Sequence, residues 1–250
     1  MEKKTVNKKR LLVFNWKMNP STSAEAREIF ALVVTHTKNP LIVIPPFLYI
    51  NELARVRSKK IALGAQDVWK EERGSFTGEI GPLMLKNMGV AYAIVGHSER
   101  RYIQNEGDEL VAKKVFSSLN NKIIPILCVG EKTKMSVSKA WNFVKKQLDQ
   151  DLSLIKNIKL KNKDLIIAYE PVWAIGGNKT TDASHSASLI VLIKDHLKNR
   201  YKLSIKVLYG GSVSCNNIES FTSYKEIDGF LVGSAGLDKS QLQCIINKIN

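Results

Sequence analysis

The stretch Ile166–Thr180, IIAYEPVWAIGGNKT, passes from an apolar run into Glu170 and Pro171 and then into a loop rich in glycine. A short apolar run halted by proline reads as a core strand, because proline cannot extend a hydrogen-bonded ladder. That strand ends on a carboxylate. The same beat recurs in LLVFN from Leu11, LIVIPP from Leu41, IALGAQ from Ile61, YAIVGH from Tyr92, IIPILCVG from Ile123, IKVLYGG from Ile205 and GFLVGSA from Gly229; with LIIAYEP from Leu165 these make eight. The runs are continuously apolar rather than alternating, as strands covered on both faces in a parallel sheet are.

Between them lie amphipathic segments such as AEAREIFALVVTHTK, DELVAKKVFSSLNNK and KAWNFVKKQLDQDLSLI. The first begins at Thr22 with Glu25 three residues on, a capping box that marks a helix start. Strand followed by helix, eight times and without a linker, predicts an α/β chain folded as a single-domain (β/α)8 barrel over residues 1–250, with residues 1–9 a basic N-terminal extension. A doubly wound open sheet is the alternative. Its dinucleotide-binding form requires G-x-G-x-x-G after the first strand, where FNWKMNP stands.

Composition narrows the function classes. With 44% hydrophobic and 24% charged residues the chain can bury a sizeable core. No apolar run approaches the roughly 18 residues of a membrane span, and only LLVF follows the basic N-terminus, so a cytoplasmic protein without membrane association is expected. Cys128, Cys215 and Cys244 have no paired or metal-type spacing, which predicts free thiols. The net charge of +15 is spread through VRSKK, VAKKVF, FVKKQL and KNIKLKNKD without interleaved aromatics. This pattern reads as a solvated basic surface, and no nucleic-acid partner is expected.

In a barrel of this kind the reacting groups come from the C-terminal ends of several strands. Strand one ends in Asn15 and Lys17, strand four in His97, strand six in Glu170, strand seven in Gly210, Gly211 and Ser212, and strand eight in Gly233 and Ser234. Taken singly, a lysine is usually a solvated charge, a histidine a satisfied polar residue and a glycine a turn. Their convergence on one mouth argues for chemistry. His36, His185 and His196 fall in helical or loop segments away from it. A carboxylate beside an apolar loop, with Ile175 to exclude water, suits proton removal from carbon. The charge then left on oxygen needs donors, and His97 and Lys17 are available. Glycine backbones in AIGG, YGGS and VGS can offer N–H groups to a phosphate. Together these groups predict enolisation of a small phosphorylated carbonyl compound. No metal and no cofactor are expected, since no H-x-x-x-H or dense cluster of ligands occurs, and GGNKTT lacks the spacing of a P-loop.

NWKMN (Asn15–Asn19), GAQD, FTGEI, VGHSERR, CVGE, YEPVWAIG, YGGSV and DGFLVG, in this order over nearly the whole chain, resemble the triosephosphate isomerase family. The resemblance implies Glu170 as the proton-shuttling base, His97 as a neutral electrophile, Lys17 as the positive charge for oxyanion and phosphate, and Asn15 as a positioning group. It places Glu99 where it can pair with Lys17 in a catalytic or a purely structural ion pair. Pro171, Val172, Trp173, Ala174 and Ile175 match the family's first lid hinge and tip; Gly176, Gly177 and Asn178 continue the tip, and Lys179, Thr180 and Thr181 form the second hinge. Gly176, Ser212, Gly233 and Ser234 are the implied phosphate contacts, and Tyr209 with Ser212 the lid latch. DVWKEERGSFTGE is similar to the family's interface loop, with Thr77 at its tip, implying a homodimer. Two positions depart from the family pattern: Asn178 replaces a lid glycine, and Ser234 a second glycine after strand eight. Two rival functions fit the same barrel. A Schiff-base aldolase would employ Lys17 as nucleophile, and a non-catalytic phosphate-binding barrel would need neither Glu170 nor His97.

Overall fold

A computed structural model describes residues 9–56, 58–155, 158–175 and 182–249; residues 1–8 of the basic extension lie outside it. Eight strands, β1 (Leu11–Asn15), β2 (Leu41–Ile44), β3 (Ile61–Ala65), β4 (Tyr92–Val95), β5 (Ile124–Val129), β6 (Ile166–Tyr169), β7 (Lys206–Tyr209) and β8 (Gly229–Val232), pair in sequence order as one closed parallel barrel. β1 closes the ring against β8, with Val13 beside Leu231. The helices α1 (Ser23–His36), α2 (Phe47–Val56), α3 (Pro82–Asn87), α4 (Ser98–Tyr102), α5 (Asp108–Asn120), α6 (Val137–Asp151), α7 (Ala183–Tyr201), α8 (Ile218–Thr222) and α9 (Lys239–Ile249) fill the connections. α1 starts where its sequence predicts, the Thr22 hydroxyl accepting the Glu25 N–H at 3.3 Å.

The unbroken apolar runs are explained by a core of two layers. Inside the barrel sit Val13, Ile42, Ile44, Ile94, Ile126, Cys128, Ile166, Ala168, Leu208 and Leu231. Residues one position away, among them Phe14, Val43, Leu127, Ile167, Val207 and Phe230, face outward and pack under the helices. Because side chains alternate along a strand, each strand contributes to both layers. The inward rows continue past the apolar part: Asn15 follows Val13, Glu170 follows Ala168, Gly210 follows Leu208 and Gly233 follows Leu231. Strand parity thus aims these residues at the barrel mouth.

One expectation is overturned. Cys215, in the loop after β7, and Cys244, on α9, are joined in a disulfide with their Cα atoms 5.7 Å apart. Twenty-nine residues separate them in sequence, and the pairing arises because α9 packs beside the β7–α8 loop, a proximity that spacing alone does not carry. Cys128 is free and buried inside the barrel, where burial, followed by the nearby Glu170 carboxylate, pushes its thiol well above the ordinary range. No helix among the described residues is long and apolar enough to cross a membrane.

Candidate active site

A cavity of about 270 Å³ opens at the C-terminal end of the barrel, lined by Asn15, Lys17, His97, Glu170, Ile175, Gly210, Gly211, Ser212, Val213, Leu231, Gly233 and Ser234. The strand-end residues singled out in the sequence therefore meet at one mouth. His36, His185 and His196 do not line it.

Glu170 is 2% exposed. Its backbone extends the β5–β6 ladder by one bond, the Glu170 N–H donating to the Val129 carbonyl at 2.8 Å. The side chain is held at both oxygens: Oε2 accepts the Ser98 N–H at 3.1 Å, and Oε1 lies 3.3 Å from His97 Nε2. Two glycines make room for it. A Cβ at Gly130 would stand 1.7 Å from the Glu170 carbonyl oxygen, and one at Gly210 would stand 2.9 Å from Glu170 Cγ. A side chain at Gly130 would displace the Glu170 main chain, and one at Gly210 its carboxylate stem.

His97 caps α4, its Nδ1 accepting the Glu99 N–H at 3.2 Å. A ring nitrogen that accepts an amide N–H holds no proton, so the hydrogen of the neutral ring sits on Nε2, the atom that faces Glu170 and the cavity. The turn before it is clamped by Arg101, whose Nε donates to the Gly96 carbonyl at 2.7 Å and whose guanidinium also reaches the Cys128 carbonyl, Asp108 and Asp151. Burial pushes Asp151 up to about 7 even with the Arg101 cation beside it.

Lys17 adopts a left-handed backbone with φ 53, a conformation that costs a lysine roughly 1 kcal/mol or more. Two side chains hold it there: Asn15 Oδ1 accepts the Lys17 N–H at 3.0 Å, and Gln66 Nε2 donates to the Lys17 carbonyl at 2.6 Å. The ammonium projects to Glu99 Oε1 at 2.5 Å. On the far wall Asn217 Nδ2 donates to the Ser212 carbonyl at 2.8 Å and shapes the loop after β7. Ser234 stands at the head of the turn Ser234–Gly236 after β8. Lys17, these loops and Glu170 thus frame a small polar cavity with an apolar floor of Leu231.

Pro171 through Ile175 form a short 3₁₀ turn, Val172–Ala174, leading out of β6. Trp173 Nε1 donates to Glu131 Oε1 at 2.9 Å, and the Tyr169 hydroxyl donates to the same carboxylate at 3.0 Å. Glu131 is fully buried and anchors both the end of β6 and the turn. The lid residues Gly176, Gly177, Asn178, Lys179, Thr180 and Thr181 lie outside the described residues. Tyr209 is buried, its ring stacked on Phe221 at 4.1 Å. Thr77 is exposed in the loop between β3 and α3, where Trp69 and Phe76 pack together at 5.3 Å.

Three site-building residues escape a reading of strand ends. Gln66, Arg101 and Glu131 stand in GAQD, HSERR and CVGE, but each acts by fixing a neighbour, and residue type alone carries no sign of that. Their signal is position, since each follows a strand at the same mouth as Glu170. Among the described residues no group of three His, Cys, Asp or Glu side chains is arranged to hold a metal ion.

The family model described as triosephosphate isomerase matches residues 10–249. The chain is 39% identical to the triosephosphate isomerase of Thermoanaerobacter sp. (strain X514) over 245 residues, covering 95% of this chain and 98% of the relative. It is 39% identical to that of Finegoldia magna, with 96% and 98% covered, and 40% identical to that of Synechococcus sp. (strain JA-2-3B'a(2-13)), with 95% and 96% covered.

Proposed function

The chain belongs to the triosephosphate isomerase family, and from that premise we propose how its own residues interconvert dihydroxyacetone phosphate and D-glyceraldehyde 3-phosphate, a glycolytic step. Glu170 removes a proton from the hydroxyl-bearing carbon beside the carbonyl and the electron pair moves onto the carbonyl oxygen; the carboxyl then returns the proton to the former carbonyl carbon, while His97 relays a proton from the hydroxyl oxygen to the former carbonyl oxygen, so that its own ring ends as it began. The observation that carries this reading is the 3.3 Å approach of His97 Nε2 to Glu170 Oε1 at the cavity floor. A carbonyl oxygen bound near Nε2 places its adjacent carbon within reach of the carboxylate.

His97 donates its Nε2 hydrogen to the enediolate oxygen, and Lys17 supplies a fixed positive charge across the cavity. Asn15 keeps Lys17 in its left-handed conformation. Glu99 holds the ammonium within the site rather than letting it sweep through solvent. The Ser98 amide holds Glu170 at rest, so the carboxylate exchanges that bond for the substrate proton when substrate arrives. The phosphate belongs among the backbone N–H groups of Ser212, Gly233 and Ser234, with Gly176 completing the cradle as the lid from Pro171 to Thr181 closes and Tyr209 and Ser212 latch it. Closure also keeps water from the enediolate.

The aldolase alternative is disfavoured by the Lys17–Glu99 pair. A lysine whose ammonium is bound by a carboxylate at 2.5 Å has no free electron pair for attack on a carbonyl. A coupled assay with chelator present, run beside borohydride trapping with dihydroxyacetone phosphate, tests both. Turnover without a covalent adduct on Lys17 is expected; a trapped adduct would establish the aldolase.

The working unit is a cytoplasmic homodimer. The loops and helices that follow β1 to β4 expose Met18 (93%), Leu48 (86%), Phe76, Met84 and Ile103. These adjacent strands put large apolar side chains on one flank, beside Thr77, which a second copy would cover.

A further inference from the structure

The net charge of +15 is unevenly placed. Because all eight strands are parallel, every helix-to-strand connection lies at the end of the barrel opposite the catalytic mouth. Exposed lysines stand in these connections ahead of most strands: Lys38 before β2, Lys60 before β3, Lys122 before β5, Lys163 before β6, Lys202 before β7 and Lys225 before β8. Among the described residues, the carboxylates within these connections are Asp164, Glu226 and Asp228. Asp228 is taken by Lys194 and by the Val207 amide, and Asp164 by the Lys161 amide. Lys60, Lys122, Lys163 and Lys202 form no ion pair among the described residues. Around the catalytic mouth, by contrast, Glu71, Glu72, Glu79, Asp182 and Asp238 offset the cations. The lysines look scattered in sequence because no connection holds more than a few of them, and the barrel gathers them into a ring.

We propose that this lysine ring is a docking face for anionic phospholipid membranes, holding the enzyme peripherally with its catalytic mouth turned away. The geometry favours a planar partner. Cations set around a barrel axis are all met at once by a flat charged surface, whereas a nucleic-acid strand follows a groove and stacks its bases on aromatic side chains. Among the described residues the exposed aromatics are Phe76, Phe116 and Phe143, none of them in a helix-to-strand connection. A hollow of about 410 Å³ within the ring is lined by Leu11, Leu41, Ile42 and Tyr92, with Lys59 and Lys60 at its rim, an apolar seat bordered by the charges that would meet lipid headgroups.

The test is co-sedimentation of the full-length protein with vesicles of phosphatidylglycerol and phosphatidylcholine, and with phosphatidylcholine alone. Binding to the anionic vesicles only is expected, with release at high salt as the screening length shrinks to about 3 Å. The triple variant Lys60→Glu, Lys122→Glu, Lys163→Glu should bind at least about tenfold more weakly while keeping isomerase activity. The triple Lys139→Glu, Lys145→Glu, Lys146→Glu on the outer side of α6 makes the same change in net charge and should bind nearly as wild type. Equal losses in both triples, no binding to anionic vesicles at low salt, or tighter binding to polyuridylate than to vesicles would each overturn the proposal.

Discussion

Gly210 sets the depth at which Glu170 sits. Its missing side chain leaves the space in which the carboxylate's own stem lies, and a methyl group there would fall 2.9 Å from Glu170 Cγ. Gly210→Ala should therefore shift the base by a fraction of an ångström and lower kcat about 10²-fold, because misplacement of about 1 Å costs that much. Steady-state kinetics on a variant shown to be folded checks this, and an unchanged kcat would mean that the base tolerates displacement. At this scale the sequence is partly legible. Asn15, Lys17, His97 and Glu170 are readable because reactive residue types stand immediately after apolar runs. Glu131 and Gln66 are not, because a carboxylate binding Trp173 and an amide binding a lysine carbonyl look like any other polar loop residues until the loops are placed.

The β3–α3 loop, α4 and α5 are joined by a buried charge cluster. Lys114 on α5 is fully buried and donates to Asp67 at 2.7 Å and to Glu106 at 2.6 Å, while Arg100 of α4 reaches the same two carboxylates at 2.9 and 2.6 Å. Burial holds Asp67 above its ordinary range; Glu106, though burial also pushes it up, is held below by hydrogen bonds from Arg100 and Lys114. Removing the ammonium leaves two buried carboxylates underpaired, so Lys114→Ala should lower unfolding stability by about 3–5 kcal/mol. Lys113→Ala, which breaks only the exposed pair with Glu109, should cost under about 1 kcal/mol. Denaturant titration of the two variants makes the comparison, and equal losses would show that the cluster does not hold the elements together. Strands and helices themselves are the most legible part of the chain. Double-sided burial writes each strand as an unbroken apolar run, and the Thr22 cap marks the start of α1. Lys114 was hidden in VAKKVF, where two adjacent lysines read alike although one faces water and the other the core.

At the scale of the whole molecule, the exposed apolar flank around Met18 and Leu48 predicts a dimer in sedimentation velocity, and Met18→Asp should shift it toward monomer by placing a charge in the covered face. A wild-type monomer at micromolar concentration would contradict this. The barrel was legible in the eightfold beat, but what the barrel brings together was not: the Cys215–Cys244 bridge and the lysine ring both join segments far apart in sequence. The same convergence makes the catalytic claim, and one comparison tests it most directly: kcat and KM for D-glyceraldehyde 3-phosphate in wild type, Glu170→Asp and His97→Gln, with chelator present. The account predicts a fall in kcat of about 10²-fold or more in both variants with KM changed far less, since both groups act on the reacting carbons rather than on the phosphate. Turnover near wild type in either folded variant would contradict the assignment of base and electrophile.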